Sequence, residues 1–232
     1  MAGDVAFARA LGGRAPMSID TCIVIPALND QRSLDAVVGR IPPGPTVIVV
    51  DDGSREPLHA PHVIRHPANK GYGAAQKTGY RAALSLGASR IVLLHGDDQY
   101  DTAETLALAE ALVDAPAALG SRFLTDPSVI PTWRRLGNRG LTGLANLRFG
   151  TAHTELHSGA RAFRADLLRA LPFESWSDDY VFDQQMLCAI LRSGATIAER
   201  PVHVRYDDTV QSITLRRSIR YGLGCVREIV RP

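Results

Sequence analysis

The stretch Arg90-Ile91-Val92-Leu93-Leu94-His95-Gly96-Asp97-Asp98-Gln99 decides the fold, because a brief apolar run passes straight into a row of polar residues. A short β-branched run bounded by turn residues is a buried strand. A buried strand that ends in several polar side chains is costly unless something satisfies them, and a divalent cation does so. In extended chain His95, Asp97 and Gln99 point to one side, and Gly96 and Asp98 to the other. Oxygen donors favour Mg²⁺ or Mn²⁺, and an imidazole tilts the choice toward Mn²⁺. The competing reading is an acidic turn capping the helix that begins at Thr102.

Working outward, residues 21–25 (TCIVI), 46–50 (TVIVV) and 62–65 (HVIR) read as strands of the same kind. Helical spacing occupies 33–40, 74–86 and 102–113 between them. Strand–helix alternation of this sort builds a mostly parallel sheet with helices on both faces. Farther on, 117–121, 160–164 and 196–206 read as strands, and 133–149, 180–192 and 212–230 as helices. Such a sheet binds ligands beyond the carboxyl ends of its strands. Four loops therefore converge on one rim: 26–30, 51–54, 66–73 and 95–99.

Composition narrows the possibilities. The chain has 232 residues, 45% hydrophobic and 22% charged, with a formal charge of +2. That excludes a disordered chain and gives no sign of nucleic-acid binding by bulk charge. Lys70 and Lys77 are the only lysines among 26 basic residues. Arginine suits bidentate contacts to phosphate, although genome composition produces the same skew. Cys22, Cys188 and Cys225 are too scattered for a disulfide framework, which points to a reducing compartment. No apolar run approaches the about 18 residues of a membrane span, and residues 1–20 do not read as a signal peptide. A cytoplasmic protein is expected.

Familiar nucleotide loops are missing. The first strand does not enter G-x-G-x-x-G, and Gln76 stands where a phosphate loop needs glycine before Lys77. The turn at Gly71-Tyr72-Gly73 still opens a helix whose N–H groups suit an anion. His153 and His157 are four apart, but Glu155 is out of place for a zinc helix. Asp52 and Asp30 each have two readings, a turn or helix cap and a ligand contact.

Taken in order, these segments resemble family-2 glycosyltransferases of the GT-A fold, closest to the dolichyl- or polyprenyl-phosphate sugar synthases. Ile25-Pro26-Ala27-Leu28-Asn29-Asp30 is similar to that group's P-x-x-N-E, with Asp for Glu. Val49-Val50-Asp51-Asp52-Gly53-Ser54 matches V-D-D-G-S, and Asn69-Lys70-Gly71-Tyr72-Gly73 matches N-x-G-x-G. His95-Gly96-Asp97-Asp98-Gln99 stands at the metal-binding D-x-D-x-Q, with histidine in place of its first aspartate. Gly120-Ser121-Arg122, 158–163 and 182–185 are similar to G-S-R, S-G-F-R-A-F and F-x-x-E. Arg205…Ser212-Ile213 echoes the group's R-x-x-G-x-S-K only loosely.

The resemblance implies one GT-A type, Rossmann-like α/β domain over 21–211, after an extension at 1–20 and before a basic amphipathic helix at 212–232. It implies an inverting transfer of a sugar from a nucleotide sugar, UDP-linked in preference to GDP-linked, to a polyprenyl phosphate. Pro26, Ala27, Leu28, Asn29, Asp30, Asp52, Gly53, Ser54, Asn69, Gly71 and Asp97 would line the nucleotide sugar. Asp97, His95, Gln99 and Asp98 would hold Mn²⁺ or Mg²⁺. Arg134, Asn138, Arg139 and Arg205 would meet the diphosphate or the acceptor phosphate, with Arg122 catalytic. A phosphate acceptor is already an anion, whereas a hydroxyl acceptor needs a general base, for which Asp183 and Asp179 are the expected carboxylates. A hydroxyl on a small or carrier-bound metabolite is the second acceptor reading, and a nucleotide-sugar-binding protein without transferase activity is the third. The 212–230 stripe suits either docking on its own domain or peripheral association with the inner membrane face. A homodimer is a further expectation.

Overall fold

Strand β1 (Thr21–Ala27) shows how the chain makes a two-sided sheet. Its side chains alternate between two apolar layers, Cys22 and Val24 in one and Ile23 and Ile25 in the other, all four fully buried. The computed structural model describes residues 20–205 and 215–231. Beside β1 lie β2 (Thr46–Asp51), β3 (Val63–Arg65), β4 (Arg90–Leu93), β5 (Ala117–Ser121), β6 (Arg161–Arg164) and β7 (Ile197–Pro201). The order across the sheet is β3-β2-β1-β4-β6-β5-β7. All neighbours run parallel except at β6, which is antiparallel to both β4 and β5.

Helices cover both faces, as the alternation predicts. On one side α1 (Gln31–Gly39) and α3 (Thr102–Ala107) accompany Leu34, Val37, Leu108 and Leu112 of the Ile23 layer. On the other, α2 (Tyr72–Ser85), α4 (Thr132–Phe149), α5 (Ala165–Ala170), α6 (Val181–Arg192) and α7 (Leu215–Val230) supply Tyr80, Ala145, Leu168, Phe182 and Ile229 to the Cys22 layer. Asp30 caps α1 by accepting from the Ser33 N–H at 3.0 Å, and Asp101 caps α3 through Glu104. These carboxylates occupy the orphan donors of a first helical turn.

Two expectations change and one helix is added. The helical pattern over 102–113 divides into α3 and a 3₁₀ turn at Glu110–Val113, although Leu108, Ala111 and Leu112 are buried as the spacing requires. The strand expected over 196–206 ends at Pro201, whose ring nitrogen has no proton for a ladder. Helix α5 was not foreseen, being too short for a period to register. Residues 1–19, which make up nearly all of the expected N-terminal extension, lie outside the described residues, as do Ser212 and Ile213.

Candidate active site

At the ends of β1 and β2 the acidic residues first build the loops. Asp51 is fully buried and accepts from the Ser54 N–H (2.8 Å), the Leu58 N–H (3.2 Å) and Arg65 Nη1 (2.7 Å). Burial alone would raise its pKa, but those donors outweigh it and hold the carboxyl below its ordinary value. Asp52 receives His66 Nδ1 at 2.7 Å and the N–H groups of Lys70 and Gly71, both at 2.9 Å. Its carboxylate thereby shapes the Asn69–Gly73 loop. Asn29 takes a left-handed φ of 56°, receives Arg55 N–H on its side chain, and donates its own N–H to Ser54 Oγ. Gly53 lets the next loop lie against it, since an added Cβ would stand 2.4 Å from the Ala68 carbonyl carbon.

Most donors at the opening of α2 are spent inside the protein. Lys70 and Gly71 spend their N–H groups on Asp52, while Gly73 and Ala74 donate theirs to the Asp178 carbonyl at 2.8 and 3.2 Å. Donors spent in this way are not offered to a phosphate.

Past β4 the four expected metal ligands are in different situations. His95 Nε2 shares a hydrogen bond with the Tyr72 hydroxyl at 2.7 Å, and its ring lies between Tyr72 and Tyr100, each centroid 5.4 Å away. Gly159 closes the pocket so tightly that a Cβ would stand 2.2 Å from Nε2. His95 Nδ1 faces Asp97 at 3.9 Å. Asp98, at a left-handed φ of 57°, is held in a two-toothed pair by Arg40, which keeps its carboxyl below the ordinary value. Among the described residues Asp97 accepts from the Gln99 N–H alone, and it is 38% exposed, so its carboxylate is open to a ligand there.

Among the described residues no three His, Cys, Asp or Glu side chains converge as a self-sufficient metal cage. A hard cation held through one carboxylate and completed by phosphate oxygens needs no such cage. Asp97 and the Gln99 amide fit that mode.

On the other flank, Glu155 is fully buried and binds Arg122 through the Arg122 N–H (2.9 Å) and Nε (2.9 Å), with Nη2 adding a third contact. Asn138 of α4 joins at 3.3 Å. Asp183 on α6 accepts from Gln76 Nε2 at 2.8 Å, and Arg161, itself buried, lies 3.5 Å from its second oxygen. Two loops and two buried arginine–carboxylate pairs thus face one rim.

Residues 22–171 match the family model described as "Glycosyl transferase family 2", well over half of the chain. The chain belongs to glycosyl transferase family 2.

Relatives agree with this membership. An undecaprenyl-phosphate mannosyltransferase of Micrococcus luteus is 28% identical over 77% of this chain and 81% of its own. A UDP-N-acetylglucosamine–dolichyl-phosphate N-acetylglucosaminyltransferase of Methanococcus voltae is 24% identical over 80% of this chain and 86% of its own. Among solved structures, glucosyl-3-phosphoglycerate synthase of Mycobacterium tuberculosis bound to UDP superposes with a TM-score of 0.67, at 17% identity, over 97% of this chain and 82% of that one. The same synthase with Mn²⁺, UDP and its product gives 0.65. The fold is therefore GT-A.

Within this glycosyltransferase the remaining expected residues are spread out. Asp52, Gly53, Ser54 and Asn29 interlock at one end of the rim, beside Pro26, Ala27, the exposed Leu28 and the capping Asp30. Ala27 accepts the Asp52 N–H at 3.0 Å, and Asn69 is exposed. Arg205 donates its N–H to the Gln99 carbonyl at 2.7 Å. Arg134 stacks over Trp133 and Arg139 over Phe123. Asp179 is exposed and turned onto the Tyr180 N–H. The sequence gives no sign of three partners: Tyr72 for His95, Glu155 for Arg122, and Gln76 for Asp183. Each lies far along the chain from the residue it holds, and only the fold pairs them.

Proposed function

We propose that this glycosyltransferase inverts a hexose as it moves it from a UDP-sugar to a polyprenyl phosphate, with Mn²⁺ or Mg²⁺ bound at Asp97. The observation that carries the acceptor reading is the state of Asp183. Its oxygens are engaged by Gln76 and Arg161, which leaves it ill-suited to take a proton from a hydroxyl. An acceptor phosphate brings its own negative charge and needs no base. The names of the Micrococcus and Methanococcus relatives, which act on undecaprenyl and dolichyl phosphate, support the same class.

At the donor end, Asp97 and Gln99 would hold the cation, which supplies positive charge for the departing diphosphate. Arg205, whose backbone N–H is tied to the Gln99 carbonyl and whose charge acts on Asp98, would add a cation on the same side. Charge placed where the leaving group develops it favours the transition state over the ground state. The UDP-bound neighbour makes uridine the nucleotide to try first.

The test is release of nucleoside diphosphate from UDP-sugars with Mn²⁺, using a short prenyl phosphate and, separately, hydroxyl acceptors. Release that requires the prenyl phosphate, and that persists in Asp183→Asn, is the expected result. Release driven by a hydroxyl acceptor and lost in Asp183→Asn would assign Asp183 as a base and overturn the acceptor reading.

A further inference from the structure

Helix α7 carries two apolar stripes. Cys225 and Ile229 are buried in the domain, whereas Ile219, Leu223, Val226 and Val230 stand in solvent, Leu223 at 67% exposure. At the helical angle of about 100° per residue these four occupy one sector. Arg220 and Arg227, both exposed, border it. Helix α4 packs along α7 and repeats the pattern. Thr142 and Ala145 face inward, while Trp133, Leu136 and Leu147 are exposed, Leu147 at 84%. Gly137, Gly140 and Gly143 leave open space between them. The two helices lie side by side on one face of the sheet, so their outward sides form a single surface.

The charge of that surface is one-sided. Arg139 and Arg148 of α4 and Arg220 and Arg227 of α7 are exposed, and by sequence α4 holds no acidic residue and α7 holds Glu228 alone. Glu228 is taken up by Arg192 at 3.0 Å. With the whole chain at +2, the remainder of the molecule is net acidic. Exposed apolar side chains bordered by arginine are the composition of a helix that lies in a bilayer interface, with anionic headgroups meeting the guanidinium groups.

We propose that the outward face of α4 and α7 docks on an anionic phospholipid bilayer. The biological sense of this rests on the polyprenyl-phosphate reading, but the docking itself does not. The same helices also hold the cluster around Arg122. Asn138 of α4 donates to Glu155, and Tyr221 of α7 lies 3.0 Å from His157 Nδ1, whose carbonyl accepts from Arg122. Docking would bring that cluster to the lipid surface.

The experiment uses the full chain with vesicles of phosphatidylcholine mixed with phosphatidylglycerol, and vesicles of phosphatidylcholine alone. We expect co-sedimentation with the mixed vesicles and a blue shift of Trp133 emission that disappears in Trp133→Phe. Ile219→Glu with Leu223→Glu should weaken partition by on the order of tenfold, and Arg220→Gln with Arg227→Gln by about fivefold for each charge removed. All four sites are exposed, and circular dichroism checks the fold. No binding of the unmodified chain to mixed vesicles, or unchanged binding of Ile219→Glu with Leu223→Glu, overturns the proposal. A dimer in solution that the same pair dissociates, without vesicle binding, assigns the face to a second copy and also overturns it. Transfer to a water-soluble prenyl phosphate needs no bilayer. Its loss with vesicle binding intact counts against the acceptor reading alone, and the reverse pattern counts against docking alone.

Discussion

The Tyr72 hydroxyl and the His95 imidazole, 2.7 Å apart, join the first turn of α2 to the acidic loop after β4. A histidine in that place is thus held by the start of a helix, with its other nitrogen turned toward Asp97. Tyr72→Phe removes the hydroxyl and little else. A net hydrogen bond of about 0.5–1.5 kcal/mol corresponds to a roughly two- to tenfold loss of affinity for UDP with Mn²⁺. Calorimetry checks this, and unchanged affinity would separate Tyr72 from the donor site.

Among the described residues Asp97 is the carboxylate of its loop left open, since Arg40 holds Asp98. Asp97→Ala should abolish the part of UDP-sugar binding that depends on metal, while the midpoint of thermal unfolding changes little. Equal affinity with Mn²⁺ and with chelator present, in both proteins, would contradict the assignment.

Gly159 lies where any side chain meets the His95 ring. Gly159→Ala should destabilise the fold by about 1–3 kcal/mol through overpacking. Adding His95→Ala to it should recover much of that loss. Simple additivity in urea denaturation would show that the two do not share a contact.

Glu155 is fully buried opposite Arg122. Glu155→Gln leaves a guanidinium without its counter-charge, and removing one partner of a buried pair costs about 3–5 kcal/mol. Chemical denaturation reads this directly. A loss below about 1 kcal/mol, the level of an exposed pair, would mean that Arg122 finds another partner.

The pH dependence of stability should carry the mark of Asp51. Its folded pKa lies below the ordinary 3.8, held down by Ser54, Leu58 and Arg65 against the effect of burial. The stabilisation is therefore complete above the unfolded value and is lost as pH falls through the lower folded value. Asp51→Asn should lower stability at neutral pH and flatten the acid limb of the curve. Parallel acid limbs in the two proteins would refute this.

The sheet was legible because its strands are continuous apolar runs and its helices have a clear period. Both depend on neighbours in sequence, as Ile23 and Val24 show by facing opposite layers. The loops that make the rim were legible too, since each follows directly on a strand. Where those loops' side chains point was not. Asp51 and Asp52 are adjacent in the chain, yet one is sealed around Ser54 and Arg65 and the other organises the loop at Gly71.

Sequence alone determined the layered α/β domain, the order of its loops and the family, because these follow from local periodicity and ordered motifs. Tertiary structure decided which polar groups remain open. Arg40 reaches Asp98 across 58 positions and Gln76 reaches Asp183 across 107. Whether a buried carboxylate binds a ligand or a neighbouring side chain depends on what the packed chain brings within about 3 Å of it, and a hydrogen bond acts only at that range.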